Sequence, residues 1–216
     1  ILRTKTIIGI VSPSSPIAAE CPRRTERGIA ELQRHGYEVV LGMHARAKTY
    51  HTAGTPEERA SDLMSLLANP DVGIIMATIG GNNANEMLPH IDFATIRKQI
   101  KGLKLFVGYS DNTILLHALW EFANVTTIHG PSLLPQFGEY GGVHPFTLES
   151  FQRVTERIYS NTTYELPMST SWTNERLAWD EEDIRPRCYS VNEGWWSLRS
   201  GNATGIRKGG SVERQA

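Results

Sequence analysis

Cysteine is nearly missing from this chain: Cys21 and Cys188 are the only two in 216 residues. They stand too far apart for a C-x-x-C pair or a zinc spacing, which excludes a disulfide scaffold and a structural zinc site. Two free thiols in a reducing compartment are expected, and with them a cytoplasmic location. No run of Lys and Arg occurs. Lys plus Arg is 22 against 23 Asp plus Glu, a net charge of -1, so a nucleic-acid polymer is not an expected partner. No apolar stretch approaches the ~20 residues of a membrane helix, and no signal-like segment opens the sequence. A membrane is therefore not an expected partner either. The glycine pair at Gly80-Gly81 is not followed by Gly-Lys-Ser/Thr, and no G-x-G-x-x-G is present, which excludes the two common nucleotide fingerprints. His35, His44, His51, His90, His117 and His144 show no metal-ligand spacing.

What is present is ordinary for a globular chain: 40% hydrophobic and 21% charged residues, with enough length to bury a full core. Thr6-Ile-Ile-Gly-Ile-Val11 is a short β-branched run, as a buried parallel strand requires. Ser12 to Pro16 breaks it, and residues 22–35 read as a helix closed by Gly36. Tyr37 to Leu41 is the next strand. Thr55-Pro-Glu-Glu58 spells a capping box, and Ala60, Leu63, Met64 and Leu67 then share one helix face. Val72 to Ala77, Leu103 to Val107 and Val125 to Ile128 are further strands. Between the last two, residues 112–122 form a helix with Ile114, Leu115, Leu119 and Phe122 expected inward. Strands alternating with helices imply an α/β fold, a parallel sheet flanked by helices, Rossmann-like or flavodoxin-like. Such sheets gather functional groups at the carboxyl ends of their strands. Composition shifts after about residue 160 towards Pro, Trp, Asn and acids. Residues 1–160 are thus read as an N-terminal α/β domain, and 161–216 as a linker with an incomplete C-terminal domain.

Four strand-end loops could carry chemistry: Ser12 to Pro16, Thr78 to Asn85, Gly108 to Asn112 and His129 to Glu139. Ser110, in Gly108-Tyr-Ser110-Asp-Asn112, joins a strand to a helix, where its hydroxyl would project beside free helix-start N–H groups. The G-x-S-x-G elbow pattern is incomplete, with Asn112 in its last position, so Ser110 or Asp111 could instead merely cap the helix. Gly80 and Gly81 let backbone N–H groups approach a ligand as an oxyanion hole or phosphate cradle; a plain glycine turn is the other reading. His129 follows the fifth strand and is either a base or a structural histidine. Glu139 is either a polar wall of the same cleft or a solvated loop acid. Trp172, Trp179, Trp195 and Trp196 either stack on a ligand ring or pack a loop-rich region.

Taken together, Thr78-Ile-Gly-Gly-Asn-Asn-Ala-Asn85, Leu88-Pro89, Ile91-Asp92, Gly108-Tyr-Ser-Asp-Asn-Thr113, Gly130-Pro131 and Phe137-Gly-Glu139 resemble the serine peptidases that include LD-carboxypeptidases and microcin C self-immunity proteins. Thr-Ile-Gly-Gly and Ser171-Trp-Thr-Asn-Glu175 bring the chain nearer the immunity branch. The resemblance implies that Ser110 is the nucleophile of a Ser-Glu-His triad. Backbone N–H groups of Gly80, Gly81 and Asp111 would form the oxyanion hole. Trp172, with Asn83 and Glu139, would bind substrate, Trp172 by stacking on a nucleotide base. It further implies a smaller β-rich C-terminal domain, a homodimer, and hydrolysis of an amide in a small peptide or a peptidyl-nucleotide, with no metal and no organic cofactor needed. Gly209-Gly210 matches a family motif whose next residue, here Ser211, is elsewhere Asn. The sequence then closes at Ala216 without the family's late acidic segment and His, so no triad Glu or His is assigned. The chain by itself is expected to be inactive or nearly so. A non-catalytic peptide- or nucleotide-binding module is the alternative.

Overall fold

The computed structural model describes residues 6–100, 102–157, 167–179 and 183–194. Five short strands, β1 (Ile7–Val11), β2 (Glu38–Leu41), β3 (Val72–Ala77), β4 (Leu105–Gly108) and β5 (Thr126–His129), pair in parallel in the order β2-β1-β3-β4-β5. Every neighbour in a parallel sheet needs a crossover, and the intervening helices supply it.

The apolar runs of the strands make this a two-sided core. In β1, β3 and β4, successive side chains alternate between faces. Ile8, Ile10, Ile74, Met76, Leu105 and Val107 point to one side. There they pack under α1 (Ile17–Glu20), α2 (Pro22–Arg34), a π turn at Leu133–Phe137 and α6 (Pro145–Arg157). Val11, Ile75 and Phe106 point to the other, joined by Val72 because the register shifts at the start of β3, under α3 (Pro56–Ala68), α4 (Phe93–Gln99) and α5 (Thr113–Ala123). The capping box at α3 forms as its sequence specifies: Glu58 N–H donates to Thr55 Oγ1 at 3.3 Å, and Thr55 N–H to Glu58 Oε2 at 2.8 Å. Gly36, with φ of 88°, follows α2 in the left-handed conformation that glycine adopts freely.

The structure corrects the face of α5. Leu115 and Leu119 are buried as expected, but Ile114 and Phe122 are 38% and 57% exposed. Leu116, Ala118 and Ala123 take the buried positions instead. Phe122 lies against Phe93 of α4, ring centroids 5.6 Å apart, at the edge of the layer. Three helices were not read from the sequence. α4 is a seven-residue helix, started by Asp92 accepting from Thr95 N–H at 2.9 Å. α1 is too short to show a period, and α6 follows a glycine-rich loop.

Beyond α6, an antiparallel ribbon pairs β6 (Ser171–Trp172) with β7 (Ser190–Val191). The expected boundary between residues 160 and 161 lies outside the described residues, as do Trp195, Trp196 and Gly209-Gly210. No helix among the described residues is long and apolar enough to cross a membrane.

Candidate active site

Strand order reverses between β1 and β3, the place where an open parallel sheet leaves a crevice at its carboxyl edge. Three loops meet there: Ser12 to Pro16 after β1, Thr78 to Asn85 after β3, and Tyr109 to Asn112 after β4. Their junction is bound at its base. Thr78 N–H donates to Val11 O at 2.8 Å, and the Ser12 and Thr78 hydroxyls lie 2.8 Å apart.

Ser110 stands at the turn from β4 into a 3-10 turn (Ser110–Asn112) that runs into α5. Its φ is +61°, in the left-handed region that a residue with a Cβ enters at a cost of about 1–2 kcal/mol. Strain of this kind persists where the surroundings enforce it. Here Asn112 enforces it. Its buried amide donates to Ile79 O at 3.2 Å and to Tyr109 O at 3.1 Å, tying the glycine loop to the end of β4. Asn112 thus fills the position where the elbow pattern has glycine. Gly108 allows the approach, since a Cβ there would lie 3.2 Å from Cβ of both Ala77 and Asn112. The Ser110 side chain is exposed, and no hydrogen bond within the described residues reaches its hydroxyl.

Gly80 faces Ser110 directly. A Cβ on Gly80 would lie 3.1 Å from Ser110 Cβ and 3.3 Å from both Ser110 Oγ and Asp111 N. Gly81 faces the first loop: a Cβ there would lie 2.2 Å from Ser14 Oγ and 2.9 Å from Ser15 N. The structure thus places Gly80 beside Ser110 and the Asp111 N–H, with Gly81 turned to the Ser14 loop. The Asp111 carboxylate turns away from the hydroxyl and accepts from Asn83 N–H and Ala84 N–H, both at 2.9 Å. It caps a 3-10 turn (Ala84–His90) and pins the glycine loop against the Ser110 loop. Ser14 Oγ accepts from Asn82 N–H at 3.0 Å and Asn83 N–H at 2.9 Å.

The other site candidates are placed differently. The Asn83 side chain does not point at Ser110. Its amide donates to Glu86 Oε1 at 2.8 Å. That bond, and after it the Arg59 guanidinium, holds the Glu86 carboxyl below its ordinary range. Glu139 is not a solvated loop acid. It is 6% exposed and sits between Arg24 NH2 at 3.3 Å and Arg187 NH2 at 2.6 Å. A groove of about 290 Å³ opens beside it, lined by Gln136, Glu139, His144, Ser171, Arg187 and Tyr189. Gln136 Nε2 donates to Tyr109 OH at 3.2 Å, so the groove adjoins the residue before Ser110. Ser171 and Thr173 line it, and strand alternation sets Trp172 between them on the opposite face of the ribbon. Trp172 is 51% exposed. Trp179 packs instead, under Arg24, with Cζ 4.2 Å from its ring centroid. His129 is exposed at the end of β5, its ring 6.2 Å from that of Tyr109.

Sequence reasoning missed Ser14, Arg59 and Arg24. Each is buried and polar. Arg59 and Arg24 lie inside helices, where an isolated charge normally marks the solvent face and no motif surrounds them. The signal for Ser14 was the Ser-Pro-Ser-Ser-Pro loop itself, which ends a strand at the functional edge of the sheet but offers no motif that singles out Ser14.

Residues 8–130 match the family model described as the LD-carboxypeptidase N-terminal domain. A Vibrio cholerae protein bearing a carboxypeptidase name is 37% identical over 97% of this chain and 60% of its own length. The microcin C7 self-immunity protein MccF of Escherichia coli is 36% identical over 95% of this chain and 58% of its own. The chain thus spans about three-fifths of the length of these relatives. A structure of MccF with adenosine monophosphate superposes with a TM-score of 0.74 at 35% identity, covering 89% of this chain and 56% of that one. An MccF-like protein from Streptococcus pneumoniae, also with AMP, gives 0.76 at 28% identity, covering 88% of this chain and 56% of that one.

Proposed function

The chain belongs to the LD-carboxypeptidase N-terminal domain family, and from that premise we propose that it carries the nucleophile and oxyanion half of a serine hydrolase site. Ser110 Oγ attacks the carbonyl carbon of an amide in a small peptide or peptidyl-nucleotide. The carbonyl oxygen becomes an oxyanion between the backbone N–H groups of Gly80, Gly81 and Asp111; the proton that Ser110 gives up to a general base passes from that base to the departing amine, and water then cleaves the acyl-Ser110 ester. The observation that carries this reading is the contact of Gly80 with Ser110 Oγ and Asp111 N. A side chain at Gly80 would crowd Ser110 and Asp111 N at 3.1–3.3 Å, so the bare glycine keeps the space beside the hydroxyl open. The strained φ of Ser110 supports it.

No triad base is assigned to Ser110, so its phosphonylation or acylation in this chain alone is expected to be slow. The substrate carries a nucleotide, a reading favoured by the MccF structures with AMP and with aspartyl sulfamoyl adenosine. Trp172 offers its exposed ring for base stacking. Removal of a peptidyl-nucleotide toxin would confer immunity on a cell, in the cytoplasm, through a homodimer. The second reading, a binding module that cuts nothing, is favoured by a Ser110 hydroxyl that no hydrogen bond among the described residues reaches.

A peptidyl-adenylate analogue with a scissile amide separates the two. Binding displaced by AMP, followed by slow acylation seen as an added mass and lost in Ser110→Ala, is expected. Binding with no Ser110-dependent acylation over hours would establish the module instead.

A further inference from the structure

We propose that Arg59 is a positioning residue that sets the oxyanion loop from beneath and thereby governs the reactivity of Ser110. The inference rests on the reading of Ser110 as a nucleophile. The Arg59 side chain leaves α3 and is 1% exposed. Its guanidinium reaches four segments. NH1 donates to Pro13 O at 2.5 Å and to Asn83 O at 2.9 Å, NH2 to Glu86 Oε2 at 2.7 Å, and Nε to Thr55 O at 3.3 Å. Two of these acceptors are the backbone of the loops that face each other across Gly81.

The consequence is geometric. Asn83 is held from both sides, its C=O by Arg59 and its N–H by Ser14 Oγ and Asp111 Oδ2. Asp111 in turn contributes the N–H that faces Gly80. The gap between Gly81 and Ser14 is too narrow for a methyl group, and the Pro13 and Asn83 carbonyls that flank it share one nitrogen of Arg59. A planar guanidinium spans these directions at once, whereas an ammonium is a single point. A buried cation also costs several kcal/mol unless its donors are met. Glu86 is its only carboxylate partner among the described residues, so the two site loops supply the rest. The charge is spent on aligning backbone and not on a second ion pair.

The test compares wild type, Arg59→Lys and Arg59→Met by hydrogen exchange and by the rate at which a fluorophosphonate modifies Ser110. Exchange at residues 80–84 is expected to rise about tenfold or more in Arg59→Met, less in Arg59→Lys, with β3 and β4 unchanged. The maximal modification rate is expected to fall about tenfold to a hundredfold at an unchanged half-saturating probe concentration, since small misplacements cost rate and not affinity. Arg59→Lys carries the test if Arg59→Met does not fold. Unchanged exchange at 80–84 in a folded variant overturns the proposal. So does a labelling loss that only tracks global unfolding. If wild type is not modified at all, the nucleophile reading fails, and the exchange data still decide the clamp.

Discussion

Gly80→Ala is the sharpest perturbation of the site. Gly80 has no left-handed φ, so alanine is compatible with its backbone. The added methyl would meet Ser110 Cβ at 3.1 Å and both Ser110 Oγ and Asp111 N at 3.3 Å. A shift of a few tenths of an ångström relieves such contacts. The stability loss should therefore stay near the low end of overpacking, about 1 kcal/mol. The methyl nevertheless occupies the volume where an oxyanion must sit. Removing one oxyanion donor costs about 10²–10³ in rate, roughly 2.7–4 kcal/mol, and blocking the position should cost at least as much. Gly81→Ala is the contrast. Its methyl would stand 2.2 Å from Ser14 Oγ and 2.9 Å from the Ser15 backbone nitrogen, so the loops must part and about 2–3 kcal/mol of stability should go as well. The assay pairs thermal unfolding with the fluorophosphonate rate at Ser110. A Gly80→Ala protein that unfolds near the wild-type midpoint and is modified at the wild-type rate would refute the placement of the oxyanion.

Three further outcomes follow from particular contacts. Glu139→Gln leaves Arg24 and Arg187 short of a buried counter-charge; because Arg24 keeps Asp183, a loss near the lower end for a broken buried pair, about 3 kcal/mol, should appear in denaturant unfolding. Trp172→Ala should leave stability within about 0.5 kcal/mol, its ring being half exposed. It should weaken AMP binding by about 5- to 100-fold, as loss of one base stack does; an unchanged Kd in calorimetry would remove Trp172 from the site. The Glu86 carboxyl is held below its ordinary 4.5 by the Asn83 amide first and Arg59 second. A depressed folded pKa gives stability that is complete above about 4.5 and lost as pH falls through the folded value. The gap in unfolding midpoint between wild type and Glu86→Gln should therefore close on acidification, and a gap that persists at low pH would contradict the assigned contacts.

The parallel core was legible because buried strands are short, β-branched and punctuated. Val72 to Ala77 is β3 to the residue. The α3 cap was legible because Thr55 and Glu58 sit at a spacing with one structural meaning. The face of α5 was not, because Thr113, His117 and Glu121 are the only polar residues in Thr-Ile-Leu-Leu-His-Ala-Leu-Trp-Glu-Phe-Ala, and so narrow a polar stripe leaves the edges of the buried face undefined. At the site, the motifs located Ser110 and the glycine pair but not what holds them. Arg59, Ser14 and the Asp111 carboxylate act on backbone carbonyls and amides, and backbone acceptors leave no trace in a sequence. The burial of Glu139 depends on Arg24 and Arg187, far away along the chain, a pairing that only the fold creates.

The account stands on Ser110 as the nucleophile, and peptide mapping after exposure to a fluorophosphonate tests it most directly. The expected result is a single phosphonyl group on the peptide containing Ser110, formed slowly, absent from Ser110→Ala and suppressed by AMP. A folded protein that stays unmodified, or is modified elsewhere and equally in Ser110→Ala, would contradict it.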